Sequence, residues 1–236
     1  MSLNANTFRR ENIEKVLCEG GTLNCYPTQT IPYLIIKVGP PGSGKSSAQS
    51  NNVVLSLGVN PKEAVKMDID IVNASFKSFR NQTYKIRKSY NNKPFNNNFF
   101  NSLSKTHTNH TRLKNKNTGK NMITHTMSIF SRAIDGHKHI IFDTTSPINF
   151  ILKDFTNKLI KNNYKIVVIF HMSDIDTLEK RILKRGENLY HKEEYYRAFN
   201  MKKLPNVINK LEINLEEYIK PLQNKGIISD IIYITS

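Results

Sequence analysis

With 236 residues and 38% hydrophobic side chains, the chain is large enough for one sizeable domain with its own core. Its 35 Lys and Arg against 19 Asp and Glu leave a net charge of +16, a balance that favours polyanionic partners. No apolar run reaches the roughly 18–20 residues that span a bilayer. The first residues carry charges in place of a secretory apolar segment, and Cys18 and Cys25 lack CxxC spacing. The expectation is a cytoplasmic protein with free thiols and no membrane association.

Residues 1–30 read as an N-terminal arm. Phe8, Ile13, Val16 and Leu17 are spaced for a short amphipathic helix that ends near Gly20 and Gly21. Such a helix either packs on the core or binds a protein partner. The remainder, 31–236, reads as one nucleotide-binding domain.

The apolar strand Tyr33–Val38 leads directly into GPPGSGKSS, Gly39 to Ser47, which fits G-x-x-x-x-G-K-[ST]. The chemistry explains the spelling. Gly39, Gly42 and Gly44 let the backbone curl, so that N–H groups from Ser43 to Ser47 point at phosphate oxygens. A helix predicted over 46–57 adds its positive dipole end. Lys45 reaches the β- and γ-phosphates and the Ser46 hydroxyl ligates Mg²⁺, so the implied ligands are ATP and Mg²⁺.

A strand ending at Met67 delivers Asp68 and Asp70 to the carboxyl edge of the sheet. In open α/β sheets that edge faces the ligand. A carboxylate there serves either as general base for a substrate hydroxyl or as the cap of the next helix. Residues 77–120 form an Asn- and Lys-rich insertion and read as the least regular part. From Ile71 to Ile134 the chain has no Asp or Glu and twelve Lys or Arg, with Tyr84, Tyr90, Phe95, Phe99 and Phe100 interleaved. Basic residues among aromatics make this a candidate nucleic-acid contact. His107 and His110 lie three apart without further metal ligands nearby, so no metal site is expected there.

A helix over 122–134 precedes the strand Ile140–Phe142, which ends in Asp143, Thr144 and Thr145. An apolar strand ending in Asp is the pattern that orients Mg²⁺ or its waters, and the threonines place hydroxyls beside it. A helix over 148–161 and a strand over 164–170 follow. The helix 174–185 then ends in Arg181, Lys184 and Arg185. These complement the helix dipole or clamp a phosphate. Residues 186–200 read as a helical lid with Arg197 as a further phosphate contact. An amphipathic helix over 206–222 and a strand over 231–234 complete the chain. The alternation predicts an α/β fold: a P-loop NTPase with a parallel sheet and helices on both faces.

GPPGSGKSS, the DID-x5-FK pattern (Asp68, Asp70, Phe76, Lys77), SRAIDGHKHIIFDTT and NLEEYIKPLQNKGIISDIIYI together resemble the zeta-toxin-like P-loop kinases, within the adenylate-kinase-like group. The likeness extends over most of 33–235. It implies that Lys45 and Ser46 hold ATP phosphates and Mg²⁺, and that Asp70 is the base acting on a sugar hydroxyl. It implies also that Thr145 contacts substrate and that Arg181 or Arg185, with Arg197, neutralises the γ-phosphate. Register from SRAIDG puts Met127 where family toxins carry a substrate-binding glutamate. The resemblance therefore implies kinase chemistry on a hydroxyl without implying the family's UDP-activated amino sugar. Three functions follow as expectations. The first is a small-molecule or nucleotide-sugar kinase. The others are a polynucleotide 5′-hydroxyl kinase and a non-catalytic nucleotide-binding or assembly protein.

Overall fold

The computed structural model describes residues 10–90, 97–114, 119–145, 148–191 and 199–235. The strands are β1 (Tyr33–Val38), β2 (Val65–Met67), β3 (Ile140–Thr144), β4 (Lys165–Met172) and β5 (Asp230–Thr235). They form one sheet in the order β2-β3-β1-β4-β5 with every pair parallel. The helices are α1 (Arg10–Leu17), α2 (Ala48–Ser56), α3 (Ile69–Ser75), α4 (Lys77–Ser89), α5 (Asn97–Arg112), α6 (Met122–Asp135), α7 (Asn149–Lys161), α8 (Ile175–His191), α9 (Leu204–Asn214) and α10 (Lys220–Asn224).

The central strands are near-continuous runs of Ile and Val because both of their faces are covered. On one face Ile35, Ile141, Val167 and Ile169 pack with Val54 of α2, Val59 and Ala64. On the other, Leu34, Ile36, Ile140 and Phe142 pack with side chains of α1, α6, α7 and α9. Phe130 of α6 anchors that side, its ring edge-on to Phe142 at 5.9 Å and to Phe155 at 4.9 Å. The chain leaves β1 for the far edge at β2, returns through β3, then crosses over β1 to β4. The sheet order therefore reverses direction at β1, and the crevice beyond the carboxyl ends of β1 and β3 is the place where such sheets bind ligands.

Several elements differ from the sequence expectation. The helix of the N-terminal arm is committed to the core through fully buried Ile13 and Leu17. Its buried Glu14 accepts from Leu23 N–H at 3.1 Å and from Arg132 Nη1 at 2.5 Å. Phe8 lies outside the described residues. The insertion is not irregular where it is described: α4 and α5 pack against each other and α5 also meets α3 and α6. Its 16 residues hold no Gly or Pro, and Phe99, Leu103 and His110 form one buried stripe. Helix α8 runs through Gly186 to His191, so the first residues assigned to the lid continue the helix, and 192–198 lie outside the described residues. The helix expected over 206–222 is interrupted by a π turn at Leu215–Ile219 just before Pro221, whose ring cannot continue a regular turn.

Candidate active site

The glycines of the loop are required by their surroundings. A Cβ on Gly39 would lie 2.6 Å from both the His171 carbonyl oxygen and Ser43 Oγ, closer than any side chain tolerates. Gly42 and Gly44 both have φ of +83°, the left-handed region that glycine enters without strain. The loop is therefore clamped between β4 and α8. Its last turn closes by Ser47 N–H to the Gly44 carbonyl at 2.9 Å, and α2 starts at Ala48 rather than at Ser46. Ser47 is its N-cap, accepting from Ser50 N–H at 3.2 Å. Ser46 is exposed in the turn just before the helix.

Lys45 Nζ curls over its own loop and donates to the carbonyls of Gly39 at 2.8 Å and Pro40 at 3.0 Å. Beneath it lies a second cation that sequence reasoning passed over. Lys37 of β1 is almost fully buried, and its Nζ donates to Asn51 Oδ1 at 2.9 Å and to the Lys45 carbonyl at 3.4 Å. Burial pushes its pKa down, with the charge of Asp143 opposing the shift. The two residues are register partners on adjacent strands, so their side chains share the α2 face. His171, at the end of β4, is also buried. Its Nε2 meets Ser50 Oγ at 3.2 Å, and burial together with Lys45 and Lys37 brings its pKa to about 4, so the ring is neutral at physiological pH.

Asp143 stands at the carboxyl end of β3. Burial raises its pKa, Lys37 and Lys45 lower it, and Asp70 raises it. Its Oδ1 is buried with no hydrogen-bond partner among the described residues. A desolvated carboxylate oxygen beside a phosphate loop fits Mg²⁺ or a Mg²⁺-bound water, with the exposed Ser46 hydroxyl as the other candidate ligand. Thr144, paired in register with Val38, and Thr145 follow it, both partly exposed at the crevice edge.

Across the crevice, α3 presents two carboxylates with different tasks. Asp68 is the cap: its backbone is extended and its side chain accepts from Asp70 N–H at 2.8 Å. Burial, then the charge of Asp70, raises its pKa to about 6. Asp70 is thereby released from capping, and its Oδ1 lies 2.9 Å from His107 Nε2 of α5. Asn73, fully buried one turn on, bonds His110 Nδ1 at 2.8 Å and Thr111 Oγ1 at 3.0 Å. His110 stacks on Phe79 with ring centroids 4.8 Å apart, and burial lowers its pKa to about 4. These histidines were set aside in the sequence because they have no metal-ligand partners. The signal that finds them is their place in the buried stripe of α5.

The expected arginines divide. Arg181 reaches the loop, with Nη1 3.4 Å from the Gly42 carbonyl, while Arg185 is exposed one turn further along α8. Arg197 lies outside the described residues.

No protein-family model matches the sequence, and no curated protein matches it significantly. Solved structures do. One is a structure of the PezAT chromosomal toxin–antitoxin system of Streptococcus pneumoniae, at TM-score 0.62 and 13% identity, covering 99% of this chain and 80% of that one. The chain shares the α/β fold of that structure, five parallel strands flanked by helices. A Chloroflexus aurantiacus protein provisionally assigned as a kinase is similar at TM-score 0.42 and 14% identity, over 88% of this chain and 89% of that one. Among the described residues no helix is long and apolar enough to cross a membrane.

Proposed function

We propose that the protein is an ATP-dependent kinase that transfers the γ-phosphate to a hydroxyl of a small-molecule or nucleotide-sugar substrate. One observation carries this reading. Val38 is the register partner of Thr144 and Met67 that of Phe142, so the glycine-rich loop, Asp143 and the segment that carries Asp70 leave the same edge of three adjacent parallel strands.

In the proposed reaction Asp70 takes the proton of the acceptor hydroxyl as its oxygen attacks the γ-phosphorus in line. The bond from phosphorus to the bridging oxygen breaks and ADP leaves with the negative charge. Lys45 neutralises the β- and γ-oxygens, and Arg181 approaches from α8 over Gly42. Ser46 and Asp143 would be the residues to hold Mg²⁺, which would supply charge neutralisation at those oxygens. Asp68, Thr144 and Thr145 border the acceptor side. Labelled ATP incubated in parallel with UDP-sugars, other hydroxyl metabolites and 5′-hydroxyl RNA and DNA tests the reading. Label transferred to a small hydroxyl acceptor supports it, and absence of transfer to every acceptor removes it.

A second reading, a polynucleotide 5′-hydroxyl kinase, draws on α4. That helix exposes Lys77, Arg80, Lys85 and Lys88, with Tyr84 half exposed beside them. Arg80 also donates to the Ala74 and Ser75 carbonyls at 2.7 Å, tying the surface to the helix that carries Asp70. Oligonucleotide phosphorylation that falls steeply with rising salt would favour this reading over the first. The pneumococcal structure belongs to a toxin–antitoxin system, and on that likeness alone we add a protein partner to the proposal.

A further inference from the structure

Helix α5 docks on α3 through side chains that are polar yet buried. His107 sits in the same stripe as Phe99, Leu103 and His110, with its side chain 12% exposed. Its Nε2 meets two groups at once, Asp70 Oδ1 at 2.9 Å and Asn73 Nδ2 at 2.8 Å. A ring nitrogen carries either one hydrogen or one lone pair, so it serves one of them at a time.

The neighbours decide which. Thr111 Oγ1 donates to the His107 carbonyl at 2.8 Å, and its lone pair accepts from Asn73 Nδ2 at 3.0 Å. Neutral His110 donates from Nδ1 to Asn73 Oδ1 at 2.8 Å. Asn73 thus keeps its bonds to His110 and Thr111 whichever state Nε2 is in, while its second Nδ2 hydrogen competes with Asp70 for Nε2. A carboxylate is the stronger acceptor and has no hydrogen of its own, so the Nε2–H of His107 is directed at Asp70. The Asp70 side chain remains 30% exposed, so the bond restrains the carboxylate without sealing it off.

We propose that His107 is a positioning residue for Asp70: a hydrogen bond from the insertion holds the carboxylate in the rotation from which it meets the acceptor. The role rests on the kinase reading. The insertion is then part of the acceptor half of the site. Through His107 it supplies a fixed orientation for the group that takes the proton.

Two variants separate this from simple docking of α5. Glutamine places its amide N–H near the Nε2 position, whereas asparagine stops short of Asp70. Both remove the ring and leave a polar amide in the same stripe. With labelled ATP and water, a UDP-sugar and a 5′-hydroxyl oligonucleotide as acceptors, His107→Gln should keep kcat within about threefold. His107→Asn should lose about tenfold or more, with the KM for ATP unchanged in both and melting temperatures alike. Equal kcat in the two variants overturns the proposal. If both are fully active the bond is idle, and if both are equally inactive the ring itself is needed.

A second measurement does not depend on turnover. Long-range ¹H–¹⁵N spectra should show His107 protonated at Nε2, with that hydrogen exchanging about tenfold faster in Asp70→Ala. A bare Nε2, or a signal indifferent to Asp70, overturns the proposal. If the spectra agree and wild-type protein transfers phosphate to no acceptor, the kinase reading falls while the His107–Asp70 bond stands.

Discussion

The two sides of the crevice are built in opposite ways. The proposed nucleotide side is a short, continuous piece of chain, from β1 through the loop to α2, held by backbone contacts and by a glycine, Gly39, that admits no side chain. The proposed acceptor side is assembled from α3, α4 and α5, and its pairs Asp70–His107 and Asn73–His110, each 37 positions apart, meet through side chains. The first depends on local conformation and the second on docking. Truncating Lys45 should therefore disturb chemistry and spare the fold, whereas truncating a docked aromatic of the insertion such as Phe79 should disturb both.

The largest expected effect is on the nucleotide side. Lys45→Ala should cut turnover about a thousandfold, near 4 kcal/mol of barrier, while the melting curve without ATP stays close to wild type. A folded variant with full activity would remove the loop from the mechanism. On the acceptor side Phe79→Ala deletes the fully buried ring under His110 and should cost about 3 kcal/mol of stability, read by chemical denaturation. If the stability change is negligible, α5 is not docked as described. Asp70→Asn should lower kcat about a hundredfold with little change in ATP affinity, because a carboxamide takes no proton. Equal activity of this variant and wild type would move the base elsewhere.

The smallest effect is a pH dependence. In the unfolded chain Asp68 titrates in the ordinary carboxylate range, and in the folded chain burial and the charge of Asp70 raise it to about 6. The native state therefore binds more protons between those values, so this residue's contribution to stability is fullest below the unfolded pKa and is lost as pH rises through about 6. Asp68→Asn keeps a capping oxygen and removes the titration. Its stability should lie close to wild type near pH 4 and exceed it by about 2 kcal/mol above pH 6. An advantage that is the same at both pH values would mean that Asp68 is not desolvated.

The strand, loop and helix of the proposed nucleotide side were legible because their information is consecutive. The strand, the glycine spacing, Lys45, Ser46 and Asp143 sit where the pattern of strands and motifs puts them, and the parallel sheet follows from their alternation. Lys37 was missed because a lysine inside an apolar strand reads as an edge residue until a register partner appears. Asp68 and Asp70 were both visible, but the choice between cap and base was not. It depends on backbone geometry at Asp68 and on a histidine from another helix. The insertion resisted because two members of its buried stripe are histidines, which break the apolar period by which helices are recognised.

The amino-acid sequence alone determined the tight glycine-rich loop, since curvature, donors and lysine are all local properties of Gly39 to Ser47. It also determined the α/β class, through the period of its apolar residues. Only the tertiary structure decided what stands opposite the loop. Asp70 acquires its partner because α5 folds back on α3 and buries His107 and His110 against Asn73 and Phe79. Such pairing is a matter of distance in space, and no spacing along the chain encodes it.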